Sequence, residues 1–123
     1  MSHTVAVVGA SNNRHKFGNK ALRAFASRGY TVFPINPRES EVEGHRAYAS
    51  VLDVPGQIDL ATIYVPPRIG LGIMDELAKK GIPEVWLNPG ADGFDVLARA
   101  RELGLKTTQL CSIIAIGESP GNF

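Results

Sequence analysis

The hydrophobic pattern alternates between short unbroken apolar runs and longer stretches of helical period. Val5-Ala6-Val7-Val8 is a run of the kind a strand shows when it is buried on both faces, and it breaks at Gly9 into Ala10-Ser11 and a polar loop, Asn12 to Gly18. Leu22, Phe25 and Ala26 then recur at helical spacing until Arg28-Gly29 stops the pattern. Tyr30 to Ile35 reads as a second strand that ends in Asn36-Pro37-Arg38. Strand, helix and strand within about forty residues make one crossover unit with a parallel pair.

The same alternation continues down the chain. Ile58 to Val65 is a strand that ends in Pro66-Pro67, where two prolines force the chain out of the sheet and Pro67 is suited to a helix start. A helix is expected from about Arg68 to Lys80, with Ile69, Ile73, Leu77 and Ala78 on its buried face and Lys79-Lys80-Gly81 closing it. Glu84 to Asn88 is the next strand, and Pro89-Gly90-Ala91-Asp92 turns into a helix over roughly Gly93 to Leu103, buried through Val96, Leu97, Ala100 and Leu103. Trp86 is read as a core residue. Leu105 to Leu110 reads as the last strand, and the tail from Ser112 to Phe123 is expected to pack back on the domain or against a partner. Residues 39–57 are the least patterned, with a short edge strand expected around Arg46 to Tyr48 and a helical turn capped by Ser50, Asp53 standing at the capping-box position. These elements define an α/β fold: a three-layer Rossmann-like open sheet, mostly parallel, of about five to six strands with helices on both faces.

At 123 residues the whole of 1–123 is expected to form a single domain, with no room for a second catalytic one. A net charge of +1 with 20% charged residues gives no basic field for nucleic acid, so any anion site must be local. Cys111 is the only cysteine, so no intrachain disulfide forms; no segment reads as a signal peptide or a membrane span, and a cytoplasmic location is expected. His3 and His45 stand apart from other metal-ligating residues and read as surface histidines, while His15 lies inside the polar loop.

The candidate chemistry gathers where strands end. The loop after the first strand delivers backbone N–H groups to a helix N-terminus, a natural anion site, and carries the hydroxyl of Ser11 and the cations Arg14 and Lys16. The dinucleotide fingerprint is incomplete, because Gly9 is followed by Ala10-Ser11 and the next glycine is Gly18, after Phe17. At the tip of the second strand, where NAD-binding domains place an acidic residue for the ribose 2′-hydroxyl, this chain has Asn36, Pro37 and Arg38. An amide and an arginine suit a phosphorylated ribose, as in coenzyme A (CoA) or NADP. The same residues also fit a plain Asn-Pro turn with a solvated arginine. Val65, Pro66 and Pro67 would face Gly9 across the crevice as an apolar wall, with Asn88 and Gly90 on its far side.

Val8-Gly9-Ala10-Ser11 with Lys16 and Gly18, Ile35-Asn36-Pro37, Tyr64-Val65-Pro66-Pro67 and Trp86-Leu87-Asn88-Pro89-Gly90, in this order, resemble the small single-domain CoA-binding proteins of Rossmann-like fold. These are similar to the CoA-binding domain of the succinyl-CoA synthetase alpha subunit. The resemblance covers almost the whole chain. It implies CoA or an acyl-CoA in an extended pose, phosphates over Gly9 to Gly18, adenosine near Asn36-Pro37-Arg38 and the pantetheine arm passing Val65-Pro66-Pro67. The choice of CoA over NADP rests on this resemblance. In the synthetase a phosphorylated histidine lies in a further domain; the three histidines here match no such motif. The expectation is a CoA-binding protein without catalysis of its own, acting as carrier, sensor or partner subunit, with a protein partner or a homo-oligomer left open. The alternatives are an NADP-binding oxidoreductase-like domain and a redox role in which Cys111 forms a mixed disulfide with the CoA thiol.

Overall fold

The computed structural model describes residues 3–123. Seven strands alternate with four α-helices: β1 Thr4–Val8, α1 Phe17–Ser27, β2 Thr31–Ile35, β3 Glu41–Val42, β4 His45–Arg46, β5 Leu60–Ile63, α2 Pro67–Lys80, β6 Glu84–Leu87, α3 Phe94–Glu102, β7 Thr107–Gln109 and α4 Ser112–Ala115. Five strands form one sheet in the order β2-β1-β5-β6-β7, and every pairing in it is parallel. The expected open, parallel α/β sheet is therefore present. The short strands β3 and β4 form a separate antiparallel hairpin.

Alternation along the strands builds two cores. Ala6, Val8, Ile63, Val85 and Leu87 point to one face, where they meet Met74 and Leu77 of α2 and Val96 and Ala100 of α3. Val5, Val7 and Leu60 point to the other, against Leu22 and Phe25 of α1 and Ile113 of α4. Both faces are covered, which is why the strands read as continuous apolar runs. Val51, Val54 and Ile58 join the first of these cores, so the connection from β2 to β5 crosses on the α2 face with a 3₁₀ turn, Val51–Asp53, where a helix is more usual.

Several expectations shift in detail. The buried stripe of α2 is Gly70, Met74 and Leu77, whereas Ile69 is 45% exposed. The reason is close approach: a side chain at Gly70 would already touch Val65 and Val96 at 3.8 Å, so the helix lies on its small residue and turns Ile69 outward. The edge strand expected at Arg46 to Tyr48 is the hairpin β3–β4 together with a bridge from Tyr48 to Ile35. Ser50 caps the 3₁₀ turn by accepting from the Leu52 N–H and donates its own hydroxyl to Glu76. Trp86 is half-buried against the α1 face and lies near Phe25, with ring centroids 6.3 Å apart. The tail packs back on α1: Arg23 donates to the Phe123 carbonyl at 2.9 Å, and Arg28 pairs with Glu118 at 2.6 Å.

Candidate functional site

The order of the strands places the site. The chain leaves β1 for β2 on one side, and β5 lies on the other, so the connections after β1 and β5 diverge and open a crevice at the carboxyl edge of the sheet. A cavity of about 580 Å³ occupies it. Gly9 with Lys16, Phe17 and Gly18 forms one wall; Tyr64, Val65 and Pro66 form the second; Pro89, Gly90 and Ala91 close the third.

The wall at β1 is built by close backbone packing. Gly9 has φ +93°, donates its N–H to Ile35 O at 3.0 Å, and a Cβ there would stand 3.0 Å from the Tyr64 backbone. Only glycine takes that conformation without strain. A Cβ on Gly18 would lie 2.3 Å from the Gly9 carbonyl oxygen, so glycine is what lets the first turn of α1 sit on the tip of β1. The loop between them is ordered by its own side chains. Ser11 Oγ accepts from the Asn13 N–H, Asn13 Oδ1 accepts from the His15 N–H, and both distances are 3.0 Å. Lys16, the N-cap of α1, supplies no side-chain cap. Among the described residues the N–H groups of Phe17 and Gly18 find no acceptor and are left at the cavity wall.

Around this wall the polar residues hold the loop in place. Asn36 Nδ2 donates to Ala10 O at 2.8 Å and its Oδ1 accepts from the Arg38 N–H at 2.8 Å, which ties the tips of β1 and β2 together. Asn12 bonds Glu39 and the Glu41 carbonyl, and Asn19 bonds the Ser11 carbonyl and Glu43, so the hairpin is fastened over the loop.

The residues picked out by sequence thus divide. Gly9, Lys16, Phe17, Gly18, Val65, Pro66 and Gly90 come together on the cavity. Ala10 is buried beneath it, and Ser11 is spent on the turn. Arg14 swings away to Glu43 at 3.5 Å. Pro37 and Arg38 lie exposed beyond the β2 tip, and Pro67 begins α2 in tight apposition to Gly93. Asn88 turns inward: its Nδ2 donates to Thr62 Oγ1 at 2.7 Å and Ile63 O at 2.9 Å, and its Oδ1 accepts from the Ser112 N–H at 2.8 Å. Thr62 and Ser112 complete this buried network with a 2.6 Å hydroxyl contact that pins the tail to the sheet edge.

A second cavity of about 320 Å³ adjoins the first and shares Phe17, Tyr64 and Pro89 with it; Asn88, Cys111 and Pro120 complete its lining. Cys111 carries a free, half-buried thiol. The Tyr64 hydroxyl is buried with no hydrogen-bond partner among the described residues, and burial pushes its pKa up to about 12 although the Ser112 and Thr62 hydroxyls lie nearby and oppose the rise. Sequence reasoning assigned no binding role to Tyr64, Pro89 or Ala91. Pro89 was legible as the neighbour of Asn88 and Gly90, whereas Pro120 reaches the cavity only because the tail folds back. Among the described residues no cluster of His, Cys, Asp or Glu could hold a metal ion, and no helix is long and apolar enough to cross a membrane.

A helix N-terminus with free N–H groups, a lysine and a crevice at a strand-order reversal are features that suit a phosphate-bearing ligand in an open α/β sheet. The chain belongs to the CoA binding domain family, whose model matches residues 3–117. It is 40% identical over 82 residues to the alpha subunit of ADP-forming acetate–CoA ligase II of Pyrococcus furiosus, a match covering 66% of this chain and 18% of that subunit. It superposes on the dinucleotide-forming acetyl-coenzyme A synthetase 1 of Ca. Korarchaeum cryptofilum, with a TM-score of 0.75 at 34% identity, over 85% of this chain and 25% of that one. A conserved hypothetical protein of Pyrococcus furiosus matches nearly end to end, with a TM-score of 0.84 at 30% identity over 94% of this chain and 99% of that one. The chain therefore corresponds to less than a fifth of the ligase subunit and to a quarter of the synthetase chain.

Proposed function

We propose that the chain binds CoA or an acyl-CoA in the crevice at the carboxyl edge of its sheet and supplies binding, with no bond-making step of its own. One observation carries the reading: the 580 Å³ cavity runs from the two unpaired N–H groups and Lys16 at the start of α1 to the apolar Val65-Pro66 and Pro89-Gly90 walls, in a member of a CoA-binding family. Anionic diphosphate suits the first end, since both amide donors and the positive end of the helix dipole face it. A thin, weakly polar pantetheine arm suits the second. The adenosine end then lies toward Asn36, Pro37 and Arg38, where Arg38 makes no ion pair among the described residues and is free to meet the ribose phosphate. The ligase relatives carry their matching segment within much longer chains, which fits a binding module.

The test is calorimetric titration of the nucleotide-stripped protein with CoA, NADP and NAD side by side. Binding of CoA alone is expected, together with a thermal stabilisation equivalent to about 2.7 kcal/mol at a hundredfold excess over Kd. Preference for NADP, or no heat and no thermal shift with any of the three, overturns the proposal.

A further inference from the structure

We propose that the second cavity receives the acyl group of a CoA thioester, and that the protein selects short aliphatic acyl-CoA over free CoA. The inference rests on the CoA reading above and extends the same site beyond the thiol.

Continuity comes first. Phe17, Tyr64 and Pro89 line both cavities, so the second lies directly beside the apolar end of the first. The two differ in what they offer. The first has a lysine and free amides, whereas the second is walled by the Phe17 and Tyr64 rings, two prolines and the Cys111 thiol. The one amide on its wall, Asn88, has its donor and acceptor atoms engaged by Thr62, Ile63 and Ser112. A free, half-buried thiol such as that of Cys111 offers only a weak S–H donor and packs largely as a small hydrophobe. With its pKa at about 12 the Tyr64 phenol stays neutral throughout the physiological range, so the wall carries no charge. A carboxylate at the end of an acyl group would leave water with no cation to meet it, while an aliphatic chain loses nothing by entering; among the described residues the one unpaired polar atom on this wall is the Tyr64 hydroxyl.

Size sets the length. An apolar cavity of about 150 Å³ holds the six carbons of benzene. The 320 Å³ here admits the thioester and a chain of about four to eight carbons.

The experiment titrates the wild-type protein with free CoA and with acetyl-, butyryl-, hexanoyl-, palmitoyl- and succinyl-CoA. Affinity is expected to rise by about fourfold per methylene up to hexanoyl, so that butyryl-CoA binds roughly fifteenfold more tightly than acetyl-CoA. Palmitoyl-CoA is expected to gain nothing over hexanoyl-CoA, and succinyl-CoA to bind no better than free CoA. Equal affinity for CoA and all its thioesters, or affinity that falls with length, overturns the acyl subsite and leaves CoA binding intact. No binding of any of them overturns the CoA reading and this inference with it. Cys111→Phe, which fills the cavity, is expected to flatten the length series. A measurement that needs no variant is the alkylation rate of Cys111 by iodoacetamide, which saturating hexanoyl-CoA should slow several-fold more than saturating acetyl-CoA does. Equal protection by the two counts against an acyl chain at Cys111 and overturns the proposal.

Discussion

Gly18→Ala is the most direct test of how the anion end of the site is made. The added methyl would stand 2.3 Å from the Gly9 carbonyl oxygen and 3.1 Å from the Gly9 carbonyl carbon. Carbon–oxygen contacts settle at about 3.3–3.6 Å, so the two backbones must part by about 1 Å. Neither can move freely: Gly9 is held by its hydrogen bond to Ile35 O, and the first turn of α1 is held by Leu22 and Phe25, both fully buried. Forced separation of packed backbone costs about 1–3 kcal/mol, against less than about 1 kcal/mol gained from the better helix propensity of alanine. A fall in melting temperature of about 3–8 °C is expected, because about 1 kcal/mol moves a domain of this size by roughly 4 °C. The Phe17 and Gly18 N–H groups move with the turn. Hydrogen bonds to a charged group are worth about 1.5–3 kcal/mol each, so partial loss of two should weaken CoA binding by about ten- to a hundredfold. Gly72→Ala is the control: a Cβ there meets nothing within 4 Å, so it should raise stability slightly and leave Kd unchanged. Thermal unfolding and calorimetry on both variants read the result. A Gly18→Ala protein as stable as wild type, with Kd within twofold, would refute the packing argument.

Three further outcomes are expected. Lys16→Ala should weaken CoA binding by about five- to tenfold at low salt, and the difference from wild type should shrink as salt is raised, as calorimetry at two ionic strengths would show. Asn88→Ala should destabilise the fold by about 2–4 kcal/mol by leaving Thr62, the Ile63 carbonyl and the Ser112 N–H with broken partners, and the tail from Cys111 should become sensitive to limited proteolysis before the rest unfolds. Asp59 accepts from the Thr4 N–H at 3.0 Å and the Thr4 hydroxyl at 3.1 Å, and these bonds hold its carboxyl below the usual value. A lowered folded-state pKa means stability that is present above the unfolded value of about 3.9 and lost as pH falls through the folded one. Asp59→Ala should therefore melt below wild type at pH 7 and converge with it as acidification protonates the Asp59 carboxyl, below the ordinary carboxylate range.

The sheet was legible because its strands are buried on both faces. Val5 to Val8 is wholly apolar and Leu60 to Ile63 is fully buried with Thr62 its one polar residue, and the proline and glycine punctuation marks where each run leaves the sheet. The hairpin β3–β4 was not legible: its strands are two residues each, and its turn depends on Glu43 and Gly44 both taking positive φ, +50° and +80°. Nothing in the local pattern announces that a glutamate will do so. What holds it is Asn12 and Asn19 reaching over from the loop, contacts that span 24 to 31 residues. The residues on the cavity were found where backbone shape decided the matter, at Gly9, Gly18, Pro66 and Gly90. Charge was the weaker guide, because Arg14 is drawn to a glutamate on a neighbouring element and spacing along the chain carries no record of that partner.

Asn88 shows why the second half of the site escaped the strand-end reasoning. A polar residue at the carboxyl end of a strand in an open sheet is a fair candidate for touching ligand, and Asn88 does line the smaller cavity. Its carboxamide, however, is fully engaged inside the protein, and the last of those bonds is to the N–H of Ser112, 24 residues away. That bond brings Cys111, the residue before Ser112, to the edge of the sheet, and the tail that follows returns along α1 until Pro120 closes the cavity. Thus the anion end of the crevice is written locally, in a loop and one helix turn, while the apolar end exists only once β5, β6 and the tail have met. The two ends should separate experimentally: a lesion in the tail network should erode the preference among acyl groups before it erodes the binding of the phosphates.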